Sequence, residues 1–157
     1  AVALAAVLLA TGGGFLYARL RPAPGEFVPS LGNDHIATAE TPHVPYNSDP
    51  PTSGPHLPNI APWGVWDRPI VKELQVHNLE DGGVAVNYRP DCADRVLEPL
   101  RQIVKRYEDH VLLTPYPGLK TCIGLTAWTR IDLFDAMDEA RVTRFIDAYR
   151  GIDHHKR

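Results

Sequence analysis

The sequence predicts an α+β fold with one N-terminal transmembrane helix, a proline-rich extended arm, and a small mixed or antiparallel sheet with two packed helices. Three observations predict this arrangement. Residues 1–20 are almost uniformly apolar, prolines crowd the next fifty residues, and regular apolar patterns begin only at residue 70. The chain is therefore expected to divide into an anchor over 1–20, an arm over 21–69, a domain over 70–151 and a tail over 152–157.

The anchor is predicted from the stretch AVALAAVLLATGGGFLYARL, which carries no charge before Arg19. About 20 apolar residues are enough for a helix to cross the hydrocarbon core of a bilayer. The apolar core of a cleavable signal peptide is shorter, about 7–15 residues. The stretch therefore predicts a retained single-pass anchor. Its glycine triplet, residues 12–14, would allow a close contact with another membrane helix, although such triplets also occur without a partner.

The arm is predicted from proline, because 11 of the 15 prolines fall between Pro22 and Pro69. Proline lacks a backbone N–H and biases its predecessor towards extended geometry, so this segment cannot sustain a helix. A freely solvated linker would not need large apolar side chains. We therefore expect the arm to lie over the domain through its anchors Phe27, Val28, Tyr46, Trp63 and Trp66.

The first elements of the domain are predicted to form a β-hairpin. Residues 71–78 are predicted as a strand, and Asp81-Gly82 is a strong hairpin turn signal, with Gly83 giving further backbone freedom. Val84, Val86 and Tyr88 then alternate with Ala85 and Asn87, as expected of the returning strand.

Two helices and two further strands follow. Apolar residues at helical spacing predict a helix over 96–107, capped by Asp91 and either kinked at Pro99 or beginning near it, and a second over 142–149, capped by Asp138 and ended by Gly151. Short apolar runs predict strands over 111–113 and 123–127. The tail, with His154 and His155, is expected to be frayed and solvated.

Composition and the absence of known motifs argue against several classes of function. The net charge of −3 comes with no basic block and no interleaving of aromatic and basic residues, so nucleic-acid binding is not expected. No phosphate-binding glycine motif and no G-x-S-x-G nucleophile motif is present. The two cysteines, Cys92 and Cys122, either form one disulfide that closes a loop of about 30 residues or remain two separate buried thiols.

Histidines offer the clearest chemistry. His35, His43 and His56 lie in the arm and His77 lies in the predicted hairpin, where Glu80 and Asp81 follow it. Imidazoles that meet near a carboxylate are a usual ligand set for zinc, copper or iron. None of the spacings matches a tight metal motif, so ordinary polar residues are the alternative.

Four sequence words, PPTSGPH (50–56), APWG (61–64), VHNLEDGGV (76–84) and LTAW (125–128), occur in an order that resembles the bacterial domain-of-unknown-function family 3105. The resemblance covers roughly residues 35–149. It implies one anchor helix in the bacterial inner membrane and a soluble domain that faces the periplasm. Arg19 and Arg21, beside the anchor, would by charge alone place the domain in the cytoplasm.

The resemblance also bears on a metal site. The family pattern usually reads HNLEHGG, and Asp81 stands here at its second histidine. If the family's histidines bind a metal, the matching positions are His56 and His77, with His35 as a further candidate. An oxygen ligand at position 81 would weaken the binding of a soft or borderline metal, so the site would be degenerate.

Three functions are therefore compared. The first is a non-catalytic accessory subunit without a cofactor, held in the bilayer and packed through its anchor and aromatic arm in a larger membrane complex, respiratory or photosynthetic. The second is an extracytoplasmic protein that binds copper or zinc through His35, His56, His77, Glu80 and Asp81. The third is a hydrolase that uses Ser53 beside His56, or a metal-bound water. The first two predict no enzyme activity.

Overall fold

The computed structural model describes residues 22–155. Six strands form one mixed sheet in the order β1-β6-β5-β3-β4-β2. The strands are β1 (Glu26–Phe27), β2 (Gly64–Val65), β3 (Val84–Tyr88), β4 (Val111–Pro115), β5 (Ile123–Ala127) and β6 (Arg130–Phe134). The helices are α1 (Lys72–Glu80), α2 (Ala93–Val104) and α3 (Glu139–Tyr149). The α+β class and the mixed sheet are thus confirmed, with one helix more than expected.

The anchor expected over 1–20 lies outside the described residues. Between residues 22 and 155, no helix has the length and apolarity that a membrane crossing requires.

The predicted hairpin before β3 is wrong, because residues 72–80 form helix α1. Six consecutive residues of this helix, 75–80, are buried, and four of them are polar. Each of these side chains makes at least one polar contact, and Asn78 makes two hydrogen bonds: it donates to Ala61 O at 2.8 Å and accepts from Ala61 N at 2.9 Å. A helix that buries polar residues has no apolar stripe, so its periodicity could not be seen in the sequence.

The Asp81-Gly82-Gly83 signal belongs to the end of this helix. Gly82 N donates to Leu79 O at 3.1 Å, and Gly83 N donates to Asn78 O at 2.7 Å. Gly82 has a φ of +82°, the left-handed conformation that closes many helices. The same three residues that predict a hairpin turn therefore form the C-terminal cap of α1.

The sheet separates two cores. Alternate residues of a strand point to opposite faces. Val84 and Val86 pack with α2 and α3 in the larger core. Ala85 packs with Leu79 of α1 in a second cluster on the other face. Helix α1 thus packs on one face of the sheet, and α2 and α3 pack on the other.

Most of the other expected elements are present. Strands β3, β4 and β5 lie where the patterns place them, whereas β6 is an additional strand that pairs antiparallel with β5. Helix α2 runs through Pro99 instead of starting there. Helix α3 begins after Asp138, whose side chain accepts from Arg141 N, as expected. A disulfide joins Cys92, before α2, to Cys122, before β5.

The arm is part of the fold. It supplies β1, which pairs with β6, and β2, which pairs with β4. Tyr46 donates to Pro55 O at 2.6 Å, and Trp63 stacks on His110. Phe27 is not the expected anchor, because it is 62% exposed, with Arg130 over its ring.

Residues 151–155 are held by backbone hydrogen bonds, against the expectation of a frayed end. Gly151 N donates to Gly82 O at 2.8 Å, and His154 N donates to Glu80 O at 2.9 Å. These bonds hold the tail against the C-terminal end of α1.

Candidate metal centre

The last turn of α1 supplies two of the candidate ligands. His77 and Glu80 are three residues apart, so they share one face of the helix. This face is turned towards the arm, because His77 Nδ1 lies 2.7 Å from the arm carbonyl Leu57 O.

The arm supplies the other two ligands through a short parallel β-bridge between His35 and His56. Ile36 N donates to His56 O at 2.8 Å, and His56 N donates to Asp34 O at 3.0 Å. The bridge places two imidazoles side by side, although 20 residues separate them in sequence.

The four side chains meet at one point. One ligand atom from each of His35, His56, His77 and Glu80 lies within 4.8 Å of each of the others. The ring centroids of the three histidines are 5.0 to 5.1 Å apart. Ligands bound at about 2.1 Å around one ion lie roughly 3 to 4 Å apart, so this grouping has the scale of a coordination shell.

The hydrogen bonds of His56 and His77 fix which nitrogen faces the centre. Nδ1 of His56 lies 2.8 Å from Gly54 O, and Nδ1 of His77 lies 2.7 Å from Leu57 O. A carbonyl only accepts, so each Nδ1 carries the proton and each Nε2 keeps its lone pair. Backbone carbonyls orient metal-binding imidazoles in the same way.

Glu80 is a buried carboxylate, 1% exposed, that needs a positive partner. Asn33 Nδ2 donates to its Oε1 at 2.6 Å, and the ion-pair partners that the described residues offer it are His35, His56 and His155. Its Oε2 lies 2.9 Å from His56 Nε2.

That short approach needs a proton or a cation between the two atoms, because otherwise two lone pairs face each other. Burial lowers the pKa of His56, and the hydrogen bond to Gly54 O and the charge of Glu80 offset this only in part. A proton on His56 Nε2 is thus disfavoured near neutral pH. A metal ion satisfies both atoms, so the donor set fits a bound cation.

Asp81 lies at the rim of this cluster. Its Oδ1 is 3.7 Å from His77 Nε2 and 3.4 Å from His155 Nε2, and these three residues form a second group of potential ligands. The four-ligand set forms without Asp81, so the aspartate does not remove a donor from it.

The remaining sequence candidates lie elsewhere. His43 contacts Glu73, with 3.7 Å between His43 Nε2 and Glu73 Oε1. Ser53 is buried, and its Oγ accepts from Leu31 N at 3.0 Å. Both nitrogens of His56 face other groups, Gly54 O and Glu80, so the geometry does not support a serine–histidine pair.

Two residues of the site were missed from the sequence. Asn33 is an isolated polar residue of the arm, and no sequence signal links it to Glu80. His155 lies in the HHKR tail, where a pair of adjacent histidines was the only signal.

Comparison with known proteins gives a family and no activity. No curated protein and no solved structure matches the chain. The family model described as "Protein of unknown function (DUF3105)" matches residues 37–156, well over half of the sequence. The chain therefore belongs to the DUF3105 family.

Proposed function

We propose that this protein binds one divalent zinc or copper ion through His35, His56, His77 and Glu80. The observation that carries the proposal is the convergence of these four side chains, two of which, His56 and Glu80, are essentially inaccessible to solvent. A buried carboxylate beside imidazole lone pairs is costly unless a cation is present. A structural role without a metal would be better served by apolar side chains.

The donor types favour zinc or copper in the divalent state. Three imidazoles and one carboxylate suit zinc and Cu²⁺, whereas Cu⁺ prefers thiolate and thioether sulfur. Cys92 and Cys122 are joined to each other, and Met137, the one methionine of the chain, packs against the larger core.

The number of ligands favours binding over catalysis. Catalytic zinc sites in proteins usually have three protein ligands and keep a fourth position for water or substrate. Here four protein ligands surround the centre, which is typical of a site that holds or passes on its ion. We therefore place the protein in metal handling and not among hydrolases.

The cellular setting stays a prediction. We expect a single-pass anchor over residues 1–20 and a domain outside the cytoplasm of a bacterium. The Cys92–Cys122 disulfide supports this location, because such bonds persist in oxidising compartments. The accessory subunit of a larger membrane complex, expected from the sequence, stays a prediction as well. Its main basis, the apolar segment, lies outside the described residues.

Elemental analysis of the full chain tests the proposal. The protein, purified without added chelator, should contain one zinc or copper ion per chain, and His56→Gln and His77→Gln should each lose it. His43→Gln is the matched control and should keep the ion. The proposal fails if the wild-type protein contains no stoichiometric metal and its melting temperature is unchanged by added zinc or copper.

A further inference from the structure

A second ligand group lies directly beside the proposed metal site. His77, Asp81 and His155 offer ligand atoms within 4.8 Å of one another. His155 Nε2 lies 3.4 Å from Asp81 Oδ1 and 3.5 Å from Glu80 Oε2. We call the set of His35, His56, His77 and Glu80 the inner position, and the set of His77, Asp81 and His155 the outer position.

The tail presents His155 with a defined orientation. The backbone bonds from Gly151 N to Gly82 O and from His154 N to Glu80 O fix the tail on the end of α1. Nδ1 of His155 lies 2.8 Å from Asp153 Oδ1 and donates to this carboxylate, so its Nε2 is directed to the outer position. A carboxylate behind an imidazole is a common support for a metal ligand.

The two positions share ligands. His77 uses Nδ1 to bond Leu57 O, so it has one nitrogen, Nε2, for a metal. That single lone pair cannot bind two ions at once. Glu80 Oε2 likewise lies within reach of His56 in the inner position and of His155. The two sets are therefore alternative places for one ion.

The outer position offers more solvent-exposed ligands to an ion that arrives from water than the exposed side of the inner position does. The side chains of Asp81 and His155 are 27% and 40% exposed. Solvent also reaches the inner position at His35, whose side chain is 48% exposed, but that side offers a single imidazole. The outer side offers a carboxylate and an imidazole, which replace lost water ligands before the ion reaches the buried atoms.

We propose that His77, Asp81 and His155 form an exchange position, through which the metal ion enters and leaves the inner position while His77 and Glu80 stay within binding reach. This inference rests on the proposed function. It concerns only the route of the ion and leaves the inner ligands unchanged.

Stopped-flow measurements with Zn²⁺ alone as the probe test the route. Asp81→Asn and His155→Gln should each slow both zinc loading and chelator-driven release by about tenfold. Because the dissociation constant is the ratio of the two rate constants, it should change by less than about threefold. His43→Gln, a histidine outside both positions, should leave both rates unchanged.

Three results would overturn the exchange position. Unchanged rates in both variants would show that Asp81 and His155 play no part. Faster release with unchanged loading would make His155 a permanent ligand, and two zinc ions per chain would make the positions separate sites. A wild-type protein that binds neither zinc nor copper would instead overturn the proposed function itself, so the two failures are distinguishable.

Discussion

At the scale of single residues, the pairing of His56 with Glu80 dominates the site. Both side chains are buried, and the atoms that face each other at 2.9 Å are a carboxylate oxygen and an imidazole nitrogen. The Gly54 carbonyl holds the proton of His56 on the far side of its ring. The folded protein thus buries two electron-rich atoms that face each other. The stability of the metal-free protein should therefore depend on pH.

The sign of this pH effect follows from His56. Its pKa in the folded protein is lowered by burial, so below about pH 6.5 the unfolded chain takes up a proton that the folded chain resists. Stability should therefore be lost as the pH falls from 7 to 5. Denaturant unfolding of the metal-free protein at both pH values should show this loss, and His56→Gln should show a smaller one. An equal loss in both proteins would contradict the account.

Position 81 offers a second test at this scale. The resemblance noted in the sequence implies histidine there, and on that basis Asp81→His would restore a missing ligand. The structure places Asp81 at the rim, outside the four inner ligands. We therefore expect Asp81→His to change the equilibrium affinity for zinc by less than about threefold, measured by competition with a chelator. Tightening by tenfold or more would show that position 81 belongs to the inner set.

The sequence named the four side chains that the structure brings together at the inner position, but it did not predict their geometry. His35, His56, His77 and Glu80 could be named because the chain has only seven histidines, and Glu80 and Asp81 follow one of them closely. Asn33 and His155 could not be placed, because nothing in the sequence says that the arm and the tail meet at one end of a helix.

At the scale of elements, the end of α1 organises the site. Its cap, residues 81–83, turns the chain into β3 and also receives the tail, because Gly82 O accepts from Gly151 N at 2.8 Å. The predicted hairpin was wrong here for a physical reason. Asp-Gly-Gly fits a hairpin turn and a helix cap equally well, and only the buried polar contacts of Asn78 decide between them.

A matched pair of glycines measures the contact between the cap and the tail. Gly82 and Gly118 have φ values of +82° and +86°, so alanine at either position costs about 1–2 kcal/mol in backbone strain. A Cβ at Gly82 would lie 2.6 Å from Ile152 N, whereas a Cβ at Gly118 would meet nothing within 4 Å. Gly82→Ala should therefore destabilise the protein more than Gly118→Ala.

Hydrogen exchange distinguishes displacement of the tail from general loss of stability. The His154 amide, which donates to Glu80 O, should lose its protection in Gly82→Ala and keep it in Gly118→Ala. Equal effects of the two substitutions would show that the tail is not packed on the cap.

The disulfide supports a different part of the molecule. Cys92 and Cys122 are 30 residues apart and buried in the larger core, on the face opposite to α1. Replacing both with serine should lower the free energy of unfolding by about 3 kcal/mol, measured by denaturant titration. The metal content should not change. Loss of the metal in the folded double variant would contradict the separation of the two faces.

At the scale of the whole molecule, the site exists only when distant segments meet. His35 and His56 come from the arm, Glu80 from α1 and His155 from the tail, so the potential ligands span 120 residues of sequence. An ion bound there cross-links the arm to the helix and should stabilise the folded state in proportion to its affinity.

The α+β class could be predicted, because β3, β5 and α3 carry clear apolar periodicity, whereas the patterns left both a mixed and an antiparallel sheet open. The role of the arm in the sheet could not. Its strands β1 and β2 are two residues each, too short to show any alternation, and their pairing with β6 and β4 depends on tertiary contacts.

X-ray absorption spectroscopy of the protein loaded with one equivalent of zinc would identify the ligands of the ion. We expect four nitrogen or oxygen neighbours at about 2.0–2.1 Å, with the outer scattering of three imidazoles and no sulfur. His56→Gln should remove one imidazole from the spectrum or abolish binding. A sulfur neighbour near 2.3 Å, or a spectrum without imidazole scattering, would contradict the proposed metal site.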